Sequence, residues 1–192
     1  AGGEVEGREA EGGTVFGGDT FMSLAQTVAG EGGEAEAAIA ALKLLSLKGM
    51  TVTADALHCH RRMTKTIRDG GGDYVITIKG NQSKLAAEAK AVLDKAAASP
   101  KARFDQTEEN AHGRHEVRRG FVVPFAQSPG KNALVDLVAV GRIESWRTLN
   151  GKTTHKVRCY ALSRKMSAEQ LLTTVRHHWA IENQLHWQLD VL

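Results

Sequence analysis

The chain has 192 residues, 42% of them hydrophobic, and 25 Lys and Arg stand against 22 Asp and Glu for a formal net charge of +3. That is enough to bury a core, as one domain with an insertion, and nothing demands two domains. No apolar run approaches the roughly 20 residues that span a bilayer, the start has no basic-then-apolar leader pattern, and two distant cysteines, Cys59 and Cys159, cannot make a disulfide framework or a Cys-based zinc site. A cytoplasmic protein with two free thiols and no membrane partner is expected.

The small net charge conceals an asymmetry. Residues 1–40 carry eight acids against one base, Arg8, which leaves residues 41–192 at +10. A basic body suits a polyanion such as nucleic acid, although many proteins are as basic without such a partner.

Residues 1–20 hold seven glycines and no sustained apolar period, so they are expected to be disordered or out of frame and to form no packed element. The folded part is then 21–192. Phe21 to Val28 reads as a short strand and Glu34 to Leu47 as a helix with Ile39, Leu42 and Leu45 on one face. Met50 to Leu57, MTVTADAL, is a β-branched alternating run of strand length, which puts Asp55 at a strand's carboxyl end, where open α/β sheets place their ligands. His58 to Arg68 follows as a helix, carrying Arg61, Arg62, Lys65 and Arg68, and Tyr74 to Lys79 as the next strand, ending in the turn-forming Gly80-Asn81-Gln82. Ser83 is a candidate cap for an alanine-rich helix running to about Ala98. Strand, helix, strand, helix with short connections makes an α/β core with parallel pairing.

From about 104 to 162 the pattern changes to three β-rich runs divided by turn signals, among them Asn150-Gly151, a strong hairpin signal. This predicts an antiparallel β insertion. Ser167 and Gln170 then form a capping box at the start of the last helix. On that helix Glu182 falls in the middle of an apolar stripe made by Leu171, Leu172, Val175, Trp179, Ile181, Leu185 and Leu189. An unpaired carboxylate there costs several kcal/mol, so Glu182 needs a cation, a metal or a route to water.

A strand-end Asp and a helix-borne Glu are hard oxygen ligands of the kind Mg²⁺ accepts. The bland alternatives are that Asp55 caps the following helix and that Glu182 reaches solvent or an arginine. Zinc held by His178, Glu182 and His186 is a weaker reading, because the two histidines lie about 12 Å apart along the axis at 1.5 Å per residue.

Three ordered stretches carry a family resemblance over roughly Leu42 to Leu192. They are TADALHCH followed by GGDYVITIKGNQ, then HGRHEVR at His112 to Arg118, then CYALSRKMSAEQLLTTVRHHWAIENQLHWQLDV. Together they resemble DDE-type bacterial insertion-sequence transposases, of the ISAs-type branch whose last motif reads HWxIENxLHWxLDV. The resemblance implies an incomplete ribonuclease H-like core with the β insertion before the last helix, and Mg²⁺-dependent strand cleavage and transfer on double-stranded DNA, at element ends and at a target. Mn²⁺ would substitute, and a homodimer and a nucleoid location are expected of the intact enzyme. Asp55 matches the family's second Asp and Glu182 its Glu. Lys79, Asn81, Gln82, His112, Arg114, Arg176 and His178 become DNA contacts on the same basis, each with a plain reading as polar turn or surface. The family's first Asp has no counterpart here: Asp19 is the only Asp upstream of Asp55, and its glycine-rich surroundings do not match that motif. A catalytically incomplete piece of a transposase is therefore expected, or a non-catalytic DNA-binding remnant.

Overall fold

The computed structural model describes the backbone of residues 12–17, 22–28, 33–111 and 113–189, and the side-chain surroundings of residues 35–111 and 113–178. Asp19, His112 and the side chains of Trp179, Glu182, His186 and Trp187 lie outside the described residues. The chain divides into two compact units, residues 1–46 and 47–192.

In the first unit β1 (Gly12–Gly17) pairs antiparallel with β2 (Met22–Val28), and α1 (Gly33–Lys43) follows. Strand β1 falls within residues 1–20, for which the sequence leads one to expect no packed element. Thr14, Val15 and Phe16, β-branched and aromatic, supply strand propensity between the glycines. Helix α1 buries Ala37, Ile39, Ala41 and Leu42 and stops short of the expected Leu47.

The second unit is a mixed α/β structure built on one six-stranded sheet of order β3-β4-β8-β7-β6-β5. Its strands are β3 (Thr51–Ala54), β4 (Asp73–Ile78), β5 (Asp105–Ala111), β6 (Arg114–Pro124), β7 (Ala139–Leu149) and β8 (Lys152–Leu162). Helix α2 (Arg61–Asp69) links β3 to β4, which run parallel, and α3 (Ser83–Ala97) follows β4. All other pairings are antiparallel.

The β-rich stretch is thus continuous with the core sheet, because β8 lies between β4 and β7. It holds four strands where three are legible in the sequence. The unrecognised one, β5, reads DQTEENA and is exposed on both faces, so no apolar alternation marks it. Asn150 (φ 49°) and Gly151 (φ 74°) make the tight turn between β7 and β8, the two positive φ values that such a hairpin requires.

Helix α2 starts later than expected. A short 3₁₀ turn, Ala56–His58, comes first, and His60 then caps α2 by accepting from the Met63 N–H at 3.2 Å. Nor does Ser83 cap α3: a second 3₁₀ turn, Gly80–Gln82, runs straight into the helix and Ser83 is already helical.

Helix α4 (Ala168–Leu189) lies across one face of the sheet and buries Leu171, Leu172 and Val175 against Val75, Ile143, Tyr160 and Leu162. The opposite face takes α3, where Asp94 pairs with Arg142 of β7 at 2.7 Å. Among the described residues no helix is long and apolar enough to cross a membrane.

Candidate functional site

Strand β3 ends at Ala54, and the next residue, Asp55, is exposed and in extended backbone (φ −80°, ψ −175°). Its Oδ1 accepts a hydrogen bond from the Leu57 N–H at 2.9 Å. The capping reading of Asp55 therefore holds for one oxygen. Among the described residues Oδ2 has no protein donor, and a hard oxygen in that condition suits a divalent ion.

Two residues expected to touch DNA shape this turn instead of simply ending a strand. Asn81 donates its amide to the Ala56 carbonyl at 2.5 Å, and Gln82 donates to the Cys59 carbonyl at 2.9 Å. They lock the turn carrying Asp55 to the turn after β4, across the parallel pair. Lys79, just past the end of β4, is exposed.

Helix α4 is set onto the sheet by its sequence. The capping box forms reciprocally, with Ser167 Oγ accepting from the Gln170 N–H at 3.1 Å and Gln170 Oε1 accepting from the Ser167 N–H at 2.9 Å. The next turns lie over glycines. A Cβ on Gly141 would stand 2.5 Å from Leu171 Cδ2, and one on Gly120 would stand 3.0 Å from Leu172 Cγ and 3.1 Å from the Ala168 carbonyl oxygen.

Farther along, His178 Nδ1 and Thr53 Oγ1 are hydrogen-bonded at 3.0 Å. That bond joins α4 to β3 two residues before Asp55. Glu182 follows His178 by four residues, one helical turn or about 6 Å along the axis. Thr53 carries no signal in the sequence beyond its i−2 relation to Asp55.

The other expected contacts fall elsewhere. Arg176 pairs with Glu109 of β5, and Arg114 stands 3.7 Å from Glu116. Arg118 reaches Glu116 at 2.9 Å and Glu109 at 3.5 Å. These cations sit among carboxylates. The same is true along α2, where Lys65 pairs with Asp69 at 2.6 Å and Arg68 with Asp73 at 2.5 Å and Asp136 at 2.9 Å. The hydrogen bond to Asp136 is the main reason the Arg68 guanidinium is held above its usual pKa. Arg61 donates to the Ala133 carbonyl at 2.8 Å.

Both cysteines are free thiols. Burial pushes Cys59 up from 9.0 to about 12 and raises Cys159 as well, so neither is primed as a nucleophile. Among the described residues no three His, Cys, Asp or Glu side chains cluster as a metal cage.

Comparison with known proteins gives this geometry a family context. The family described as Transposase DDE domain matches residues 13–192. YbfL of Escherichia coli K12 is 34% identical over 161 residues, 79% of this chain and 42% of its own. YhhI of the same organism, which carries an H repeat-associated transposase name, is 33% identical over 161 residues, again 79% and 42%. A protein from the dhlA 3′ region of Xanthobacter autotrophicus is 35% identical over 127 residues, 64% of this chain and 42% of its own. The chain therefore spans about 42% of the length of these relatives. Among solved structures, a sugar N-methyltransferase of Streptoalloteichus aligns over 53% of this chain and 32% of its own, at 12% identity and a TM-score of 0.26, a level from which no common fold is drawn.

Proposed function

The chain belongs to the DDE transposase domain family, and from that premise we propose that it is part of an insertion-sequence DNA transposase in which Asp55 and Glu182 hold Mg²⁺, or Mn²⁺ in its place. The observation that carries the reading is the Thr53–His178 hydrogen bond, which ties the helix of Glu182 to the strand of Asp55. Parallel β3 and β4, with an acid at the carboxyl end of β3 and α4 crossing the sheet, support a ribonuclease H-like core. The substrate is double-stranded DNA at element ends and at a target, and the branch is the one with the motif HWxIENxLHWxLDV. The intact enzyme acts on the nucleoid as a homodimer.

When bound, the metal activates the attacking oxygen and stabilises the leaving oxygen of a phosphodiester. Asp55 offers the oxygen that Leu57 leaves uncommitted. Asn81 and Gln82 keep its turn from shifting. His178, hydrogen-bonded to Thr53, fixes how far along the sheet α4 delivers Glu182. Two carboxylates make a thin cage, so the 192 residues alone are expected to leave a supercoiled plasmid intact in Mg²⁺ or Mn²⁺. Nicking that Asp55→Asn or Glu182→Gln abolishes would show that these residues suffice.

The metal site itself is tested by substituting Fe²⁺ with ascorbate and peroxide, which cuts the protein backbone near a bound ion. Fragments ending near residues 55 and 182, absent in Asp55→Asn and suppressed by excess Mg²⁺, are expected. A uniform ladder, or none, refutes the metal reading; if duplex DNA is then still retained in a salt-sensitive way, the non-catalytic DNA-binding reading replaces it.

A further inference from the structure

The register of the sheet sorts every strand residue to one face or the other, and the face under α4 carries charge unevenly. Residues on that face of β8 are Lys152, Thr154, Lys156, Arg158, Tyr160 and Leu162, since Leu162 and Tyr160 join the core against α4. Their partners on β7 are Leu149, Arg147, Ser145, Ile143, Gly141 and Ala139. Neither set includes an acid. Glu144, the acid of β7, lies on the opposite face, paired with Arg142.

Thr53 and Val75 share the α4 face, so Asp55 just past β3, Thr77 of β4 and Lys79 just past β4 continue it by strand alternation. Besides Asp55, the acids of this face among the described strand residues are engaged: Glu109 and Glu116 by Arg176, Arg118 and Arg114, Asp73 by Arg68, and Asp105 by the Glu169 N–H. Along the same face runs a strip of cations, Lys79, Lys156, Arg147 and Lys152, with Arg158, which has a partner of its own, between Lys79 and Lys156. All but the half-buried Arg158 are exposed.

Strip and candidate metal site are joined by a notch in the sheet. Pairing of β4 with β8 stops at Ile78 and Cys159, so residues 152–158 of β8 have no strand on that side among the described residues. A cavity of about 450 Å³ opens there, lined by residues 77–79 and 156–159. Lys79, Lys156 and Arg158 face it from both walls, beside the end of β4 and one strand from Asp55.

We propose that this strip, from Lys79 past Arg158 and through Lys156 to Arg147 and Lys152, is the track on which the phosphate backbone of duplex DNA lies as it reaches Asp55, with the four exposed cations as its phosphate contacts. The proposal rests on the transposase reading and adds to it the surface that holds the substrate. Charge sign selects a polyanion, and the dimensions suit a duplex. Lys152 to Arg158 spans about 20 Å at roughly 3.4 Å per residue, against one phosphate per about 3.4 Å of axis on each DNA strand. Lysines on an open strand edge also guard against edge-to-edge association. The experiment separates that role from this one.

The test is fluorescence anisotropy of the 192-residue chain with a labelled duplex of arbitrary sequence across a salt series. Lys152→Glu with Lys156→Glu is compared with Lys84→Glu and Lys95→Glu, the same charge change at exposed sites of α3 on the opposite face. The strip pair is expected to lose at least about tenfold in affinity, and the plot of log affinity against log salt to flatten by about 1.8, near 0.9 for each phosphate no longer neutralised. The α3 pair should stay within about twofold of wild type. Lys152→Gln with Lys156→Gln should lose less than the reversal but more than the α3 pair, with an unchanged circular dichroism spectrum. Equal losses from both pairs, a strip pair that merely aggregates while binding DNA as before, a preference for single strands, or no duplex binding by wild type would each overturn the track. Strip-dependent duplex binding without metal-directed cleavage would uphold the track while removing the metal site, so the two failures are distinct.

Discussion

The height of α4 above the sheet is set at Gly141, and Gly141→Ala tests it. The new Cβ would stand 2.5 Å from Leu171 Cδ2, 3.4 Å from the Phe121 carbonyl oxygen and 3.6 Å from Leu162 Cδ1. Carbon atoms prefer about 3.5–4.0 Å, so Leu171 or the helix must retreat by about 1 Å. Leu171 and Leu162 are both fully buried, which leaves the side chain no open space to turn into. Overpacking of this kind costs about 1–3 kcal/mol. Replacing a glycine returns about 0.4–1 kcal/mol through the unfolded chain where the backbone tolerates it. The balance is a loss of about 1–2 kcal/mol, a fall of roughly 0.5–1 M in the urea midpoint at a typical slope. The assay is urea unfolding followed by circular dichroism. Leu171→Val should cost about 1 kcal/mol alone for the methylene it removes. Combined with Gly141→Ala it should cost less than the two together, because the shorter side chain clears the new methyl. An unchanged or raised midpoint for Gly141→Ala, or strict additivity in the pair, would refute the claim that this contact seats the helix.

Thr53→Val keeps the shape of the side chain and removes its hydrogen bond to His178, so stability should fall by about 0.5–1.5 kcal/mol. Fe²⁺-directed cleavage near residue 182 should fall with it relative to cleavage near residue 55; an unchanged ratio would mean that this bond does not position α4. Alkaline pH should destabilise the fold. Cys59 titrates at about 12 when folded against 9.0 for the ordinary thiol, because burial disfavours the thiolate. Below pH 9 both states keep the proton and the stability is whole. As pH rises from 9 toward 12 the unfolded chain releases a proton the folded chain retains, and stability falls by about 1.4 kcal/mol per pH unit for each such group. Tyr74, also raised chiefly by burial, adds in the same direction at higher pH. Urea melts at pH 8, 9.5 and 10.5 should show the decline, and Cys59→Ala should flatten it; an equally steep decline in that variant would point to other groups.

What could be read in the sequence was what local chemistry alone decides. The capping box at Ser167 and Gln170 formed as spaced, and so did the Asn150-Gly151 turn, because each depends on a few adjacent residues. Asp55 at a strand end was legible from the alternation of MTVTA. β5 was not, since DQTEENA has no buried face and owes its strand conformation to pairing with β6. Nor was the role of Asn81 and Gln82: a polar pair after a strand looks the same whether its amides meet solvent or, as here, the carbonyls of Ala56 and Cys59. The place of β8 between β4 and β7 is a matter of long-range pairing that no local pattern encodes.

That placement of β8 ties the remaining features together. With β8 against β4, the antiparallel strands extend the same face that carries Asp55, so one helix can rest on Gly120, Gly141 and Ile143 and still reach Thr53. The cations follow from the same geometry. β8 is longer than β4, and among the described residues the part that overhangs, 152–158, is paired with β7 alone and has no strand on the β4 side; its residues on the α4 face, Lys152, Thr154, Lys156 and Arg158, are all polar. Its exposed Lys156 and half-buried Arg158 meet Lys79 across the notch. Had the β-rich stretch folded as a separate sheet, its lysines would have borne no fixed relation to Asp55. Shortening the β7–β8 hairpin by deleting residues 148–153 and rejoining it through a two-residue turn removes Lys152 while leaving the core pairs from Ala139 to Ile143 in register. Such a chain should unfold close to the wild-type urea midpoint and bind duplex DNA more weakly. A large loss of stability instead would mean that the overhang supports the fold and that its charge is incidental.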